Sequence, residues 1–240
     1  MNLDHIIGTI MPCAPDIGDV LIRDFLVRMD AEYLAEFTPI QIADHIMAAV
    51  RLDPDHPCHL SMKERTDGLI DIVIIAYDYF SEFAILCGLL SAFGLDIREG
   101  RIYTLAEAPA MTPTRRLPTP PRGRLPRPSG IGRKKIVDFF CVRPMSGMPF
   151  SSSQKERFEE ELNAMVRLLD GHRYEDARHR VNRRLVETLD RGRHEFTGLL
   201  HPVRIHFDNR HAQAPNDTVM DIRSVDTPAF LYAFANALAM

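Results

Sequence analysis

Nowhere in these 240 residues does an apolar run approach the ~18–20 residues that a bilayer-spanning helix requires. The start, MNLDHIIGTIMPCAPDIGD, lacks both the basic lead and the apolar length of a secretory signal. Charge of one sign does not dominate either. Against 29 basic residues stand 33 acidic ones, and a formal net charge of −4 gives the chain no general pull toward nucleic acid or lipid headgroups. Cysteine is scarce and unpatterned. Cys13, Cys58, Cys87 and Cys141 show no CxxC spacing and fall mostly within apolar patterns, which predicts free thiols in a cytoplasmic protein, not disulfides or a zinc site.

Signatures of chemistry are missing as well. There is no P-loop, no GxSxG and no GxGxxG. A glycine-serine turn followed by paired aspartates for magnesium is absent, and Ala43-Asp44-His45 has the wrong order for an H…HD…D metal cluster. The ten histidines do not converge in sequence: His172 and His179 lie seven apart, and His194, His201, His206 and His211 spread over strand and loop patterns. A metal needs three or four donors brought together, so surface or capping roles are expected. The chain by itself is expected to be non-catalytic and to hold no cofactor.

What is present is a mixed helix and strand pattern. Residues 1–56 read as a helical segment. Within it, Leu21, Phe25, Leu26, Met29, Leu34 and Phe37 recur at helical spacing, and TPIQIADHIMAAVRL follows with a stripe of Ile42, Ile46 and Val50. Thr38, Pro39 and Gln41 predict a capping box at the start of that helix. From Pro57 the period becomes two. CHLSMKERT and LIDIVIIAY flank Asp67-Gly68, which predicts a hairpin, and the second strand is apolar enough to be central.

A helix ending at Gly94 follows, then strands over 95–105 and 135–144. A serine-capped helix ends near Gly171, and a linker helix lies within 171–198. Residues 106–133 hold seven prolines and six arginines against one acid, Glu107, and cannot form a core. They read as a solvated polyproline-like excursion, or as a basic arm for an acidic partner. Without aromatic residues to stack on bases, nucleic acid is not expected there.

The two strand regions repeat each other. PCHLSMKERTDGLIDIVIIAYDYFSEFAILCGLLSAFG aligns with PVRIHFDNRHAQAPNDTVMDIRSVDTPAFLYAFANALAM. Each copy has a strand after a proline, a turn, an apolar strand leading to an aspartate (Asp78, Asp226), and a helix that begins about three residues later. The first copy continues into two strands and a helix. The second stops after its first helix, whose Phe230, Leu231, Phe234 and Leu238 call for a sheet to cover them.

Those units resemble ACT domains, small ferredoxin-like βαββαβ modules. The nearer likeness is to the tandem ACT type of nitrogen-control nucleotidyltransferases, the PII uridylyltransferases and the enzymes that adenylylate glutamine synthetase. Their signature D-R-P-G-L-L-Y has its counterpart in Asp226-Thr227-Pro228-Ala229-Phe230-Leu231-Tyr232. In the first copy the counterparts are Asp78-Tyr79-Phe80-Ser81-Glu82-Phe83, then Ile97 to Thr104, then Val137-Asp138-Phe139-Phe140-Cys141-Val142. The resemblance covers 57–170 and 199–240.

The resemblance implies an α+β fold: one ACT-like unit over 57–170 with the 106–133 insertion, and a partial second unit over 199–240. It also implies an amino-acid effector such as glutamine, held near Asp78, Tyr79, Ser81, Asp226, Thr227 and Ala229. Catalytic domains and their magnesium would lie elsewhere in a longer protein, and an ACT-mediated homodimer is implied too. Two departures stand out. The signature glycine, which lets backbone approach a ligand at the strand-to-helix turn, is serine at 81 and alanine at 229, and neither copy has the arginine. Asp78 and Asp226 could instead simply cap their helices. A dimerisation or interaction module without a ligand, or the regulatory region of a large NAD-dependent glutamate dehydrogenase, are the alternatives.

Overall fold

The computed structural model describes residues 3–15, 17–106, 133–192, 203–209, 218–224, 227 and 229–238. The N-terminal segment is helical, with α1 (Leu3–Ile10), α2 (Asp19–Arg28), α3 (Ala31–Glu36) and α4 (Pro39–Arg51). The Thr38 capping box forms, the Gln41 N–H donating to Thr38 Oγ1 and the Thr38 N–H to Gln41 Oε1. The single stripe expected between Leu21 and Phe37 does not hold. The chain breaks at Met29, and Asp30 caps a new helix by accepting the Tyr33 N–H at 2.7 Å. That break resets the phase for the second helix, where Tyr33 is buried, and within α2 Ile22 is buried and Leu21 exposed. In α4, Ile42, His45, Ile46 and Ala49 are buried while Val50 is exposed, a shift of one position from the expected face.

Four strands form one antiparallel sheet: β1 (Cys58–Glu64), β2 (Ile70–Tyr77), β3 (Leu95–Thr104) and β4 (Lys135–Pro144), in the order β1-β2-β4-β3. Gly68 sits at φ +78 in the tight turn between β1 and β2, and Gly94 at φ +70 ends α5 (Glu82–Ala92), as their sequence positions predict. The architecture is α+β, and the unit runs ββαββα, the order of the sequence pattern, where the ACT resemblance implies βαββαβ. The short Asp67-Gly68 turn pairs β1 with β2 at once, so β1 holds the edge beside β2 that a last strand would otherwise take.

Helices cover both faces. On one, Tyr33 packs its ring against Tyr103, Phe37 packs against Tyr103 and Phe139, His45 packs on Phe37, and the Tyr77 hydroxyl donates to the Leu52 carbonyl at 3.0 Å. On the other lie α5, α6 (Ser152–Asp170) and α7 (Tyr174–Gly192). Helix α7 is no bare linker, since Ala177, Val181 and Leu185 are buried. Glu161 of α6 clamps it by accepting from Arg180 Nε and Nη2 and from Arg184 Nη2, at 2.6–2.9 Å.

In the second repeat, β5 (Arg204–Asp208) and β6 (Val219–Arg223) form an antiparallel hairpin, followed by α8 (Phe230–Leu238). Helix α8 finds its cover on α5 and α7, not on a sheet. Tyr232 is buried, and its hydroxyl donates to Asn182 Oδ1 at 2.7 Å. This puts Tyr232 and Ala235 on the buried side, whereas the Leu231, Phe234 and Leu238 side expected to be covered is left to line a cavity. One buried apolar cluster runs from Ile6 to Tyr232. Residues 107–132, nearly all of the proline-arginine excursion, lie outside the described residues, as do His194, His201 and His211.

Candidate ligand-binding site

The site is built where β2 hands over to α5. Ser81 takes the left-handed conformation (φ 60, ψ 11) immediately before the helix. An L residue pays ~1–2 kcal/mol there for its Cβ, which is why the resembling signature has glycine at that place. Ala229, its repeat counterpart, also sits at φ 60 immediately before α8. The backbone hydrogen bonds match as well. Glu82 N–H donates to the Tyr79 carbonyl and Ile85 N–H to that of Ser81; Phe230 N–H donates to Thr227 and Ala233 N–H to Ala229, all within 3.0–3.2 Å. The internal repeat is therefore a repeat of backbone geometry as well as of residue type.

Beside the first turn opens a pocket of about 400 Å³, within the size range of small-molecule sites. Three of the residues expected to bind, Asp78, Tyr79 and Ser81, line it. Asp78 is exposed and is not the cap of α5: the cap position is Ser81, which makes no side-chain capping bond. The Glu82 side chain instead reaches back and accepts the Tyr79 N–H at 3.2 Å. Tyr79 is held by its hydroxyl, which donates to Asp170, and by the Arg133 guanidinium 4.9 Å from its ring centroid. Of the second-copy residues, Asp226 lies outside the described residues, and Thr227 and Ala229 shape the turn before α8 without lining the pocket. The second copy contributes Leu231, Phe234, Ala235 and Leu238 instead.

Two residues that sequence reasoning passed over dominate the floor. Asp138 is central in β4, paired with Ile74 of β2 and Ile102 of β3, and only 1% exposed. Glu82, in the first turn of α5, is 4% exposed. Among the described residues Glu82 Oε1, Asp138 Oδ1 and Ser81 Oγ are buried with no hydrogen-bond partner, an arrangement rare in folded proteins and costly to maintain. Burial, reinforced by the charge of Asp138, pushes the Glu82 carboxyl well above the usual carboxylate range, against the small opposing effect of the Tyr79 N–H. Burial, with Asp78 nearby, raises Asp138 to about 8. The signal lies in IVDFFCV, residues 136–142, where Asp138 is the one charge in an otherwise apolar run.

Elsewhere, all four cysteines are free thiols, as expected from their spacing. Among the described residues no group of three or more His, Cys, Asp or Glu side chains could hold a metal ion, and no helix is long and apolar enough to cross a membrane. No protein-family model matches the chain, and no curated protein matches it.

Proposed function

We propose that the chain is a non-catalytic regulatory module of ACT type that binds an amino acid, with glutamine first among the candidates, in the pocket beside α5. On this reading it serves a cytoplasmic nucleotidyltransferase of nitrogen metabolism. One observation carries the proposal: the residues that the resemblance marks in the first copy line a pocket whose other wall is the helix of the second copy. Occupancy would then favour the arrangement in which α8 is docked. Any domain sensitive to the placement of α8 would be biased by the same free energy, which is what regulation by linkage requires.

The test is thermal melting of the full chain with each of the twenty amino acids. A ligand present at about 100 times its Kd adds roughly 2.7 kcal/mol to the stability of the state it binds, so a selective rise in Tm is expected. A flat response to all twenty would sink the amino-acid reading. The hairpin favours a second role as a dimer contact. Ile205 and Phe207, facing Ile222 and Met220 across the strands, are 49% and 59% exposed. Sedimentation of the Phe207→Lys chain against the parent tests it, the dimer being expected only in the parent.

A further inference from the structure

We propose that Glu82 and Asp138 together receive a protonated amine, so that the pocket takes a small molecule with an ammonium head and a short apolar body. The proposal rests on the reading of this pocket as the ligand site and adds the charge of what enters it.

The fold does not ask for these acids. Asp138 stands where the flanking Ile74 and Ile102 show that an aliphatic residue fits the sheet face. The repeat supplies an internal control for Glu82, because its counterpart Phe230 follows an equivalent turn with the same backbone hydrogen bonds. Two carboxyls are thus held in the interior with oxygens left unpartnered, at the floor of a cavity open to solvent along β3, where Ile102 is 45% exposed. A buried carboxylate without a counterion is unfavourable, and a cation of the right size removes that penalty through charge-assisted hydrogen bonds.

Among the described residues no lysine, arginine or histidine lines the pocket. The nearby cation, Arg133, is engaged by Asp170 at 2.7 Å and by the rings of Tyr77 and Tyr79. Asp78 lines the same pocket, but among the described residues it does not converge with Glu82 and Asp138 into a group that could hold a metal ion. An organic ammonium needs only the two acids, with Ile102, Ile136, Leu231 and Phe234 taking its carbon chain. A carboxylate set against the two acids is disfavoured by both, so an amino acid would enter ammonium first, with its own carboxylate toward the open mouth of the pocket.

Proton balance follows from the burial. Asp138 is pushed up to about 8, so it holds its proton at neutral pH in the empty site, and the Glu82 carboxyl is also raised, by burial and by Asp138. Entry of R–NH3⁺ converts a carboxylic acid to a carboxylate paired with the ammonium and releases H⁺ to solvent. The other titratable groups coupled to the pair are Asp78 and Arg133, with Tyr79 beside them, Cys87 on α5 and Cys58 on β1. Strand β3 presents Ile102 and Thr104, and α8 only Leu231, Phe234, Ala235 and Leu238.

The full chain is titrated calorimetrically with n-hexylammonium, hexanoate and hexanol. Binding of the amine alone is expected, tighter at pH 8 than at pH 6. Proton release should appear as an enthalpy that changes with the ionisation enthalpy of the buffer. Asp138→Asn and Glu82→Gln should each weaken the amine about tenfold or more. Ile102→Lys, at the exposed rim, leaves both acids in place, tethers an ammonium over them and should block the probe. Hexanol binding as tightly as the amine, unchanged affinity in both acid variants, or Mg²⁺ alone competing with the amine would overturn the proposal. If no amino acid raises Tm yet hexylammonium behaves as described, the amine site stands and the amino-acid reading falls. If an amino acid binds and Asp138→Asn does not weaken it, the reverse holds.

Discussion

At the scale of single residues, the costs in this chain collect around one turn. Ser81 and Ala229 both occupy left-handed backbone without being glycine. Ser81→Gly and Ala229→Gly should therefore each stabilise the fold by about 1 kcal/mol, the relief of strain outweighing the extra freedom glycine gives the unfolded chain. Urea midpoints would check both, and opposite signs at the two sites would break the structural equivalence of the repeats. Asp138 sets a pH dependence of definite sign. Its folded-state pKa is raised, so the stability it contributes is complete below its unfolded value near 4 and is lost as pH rises through about 8. Replacing it with Asn removes that loss, and the Tm advantage of Asp138→Asn should widen from pH 4 to pH 8. Glu161 acts in the opposite sense. Burial raises its carboxyl, but hydrogen bonds from Arg180 and Arg184 more than offset this and hold it below the usual range. Its contribution is present above the ordinary glutamate value and disappears as pH falls through the depressed one.

Between elements, the tightest fit is the crossing of α5, α7 and α8. A Cβ on Gly88 would lie 2.5 Å from Val181 Cγ1 and 2.7 Å from Tyr232 Cδ2, so the three helices approach this closely only because residue 88 has no side chain. Gly88→Ala should cost about 1–3 kcal/mol as overpacking. Gly8→Ala, in the open on α1, should gain up to about 1 kcal/mol from helix propensity. Chemical denaturation of the pair separates packing from propensity. Much at this scale could be read from the sequence, because caps and turns are local: Thr38 with Gln41, Asp67-Gly68, Gly94 and Ser151 all act within four residues of themselves. What could not be read depended on distant partners. The stripe through Leu21 missed the restart that Asp30 imposes. The sequence pattern assigns the apolar face of α8 to a sheet, since nothing in FLYAFANAL says that Gly88, far earlier in the chain, admits Tyr232 between helices. Asp138 was legible as an odd residue but not as a site until β2, β3 and α5 surrounded it.

Across the whole molecule, the two repeats are joined through helices and not through a continuous sheet, and the pocket lies at that join. Its floor comes from the first copy and part of its wall from α8. Filling it should therefore tighten α8 on α5, while variants that loosen α8, Gly88→Ala among them, should weaken any ligand of the pocket along with stability. Amide hydrogen exchange on the full chain, with and without the amino acid that most raises its Tm, tests this most directly. Slowed exchange is expected in two places at once, at 79–85 around the Ser81 turn and at 230–238 in α8. Protection confined to other segments, or protection at the turn with α8 unchanged, would contradict it.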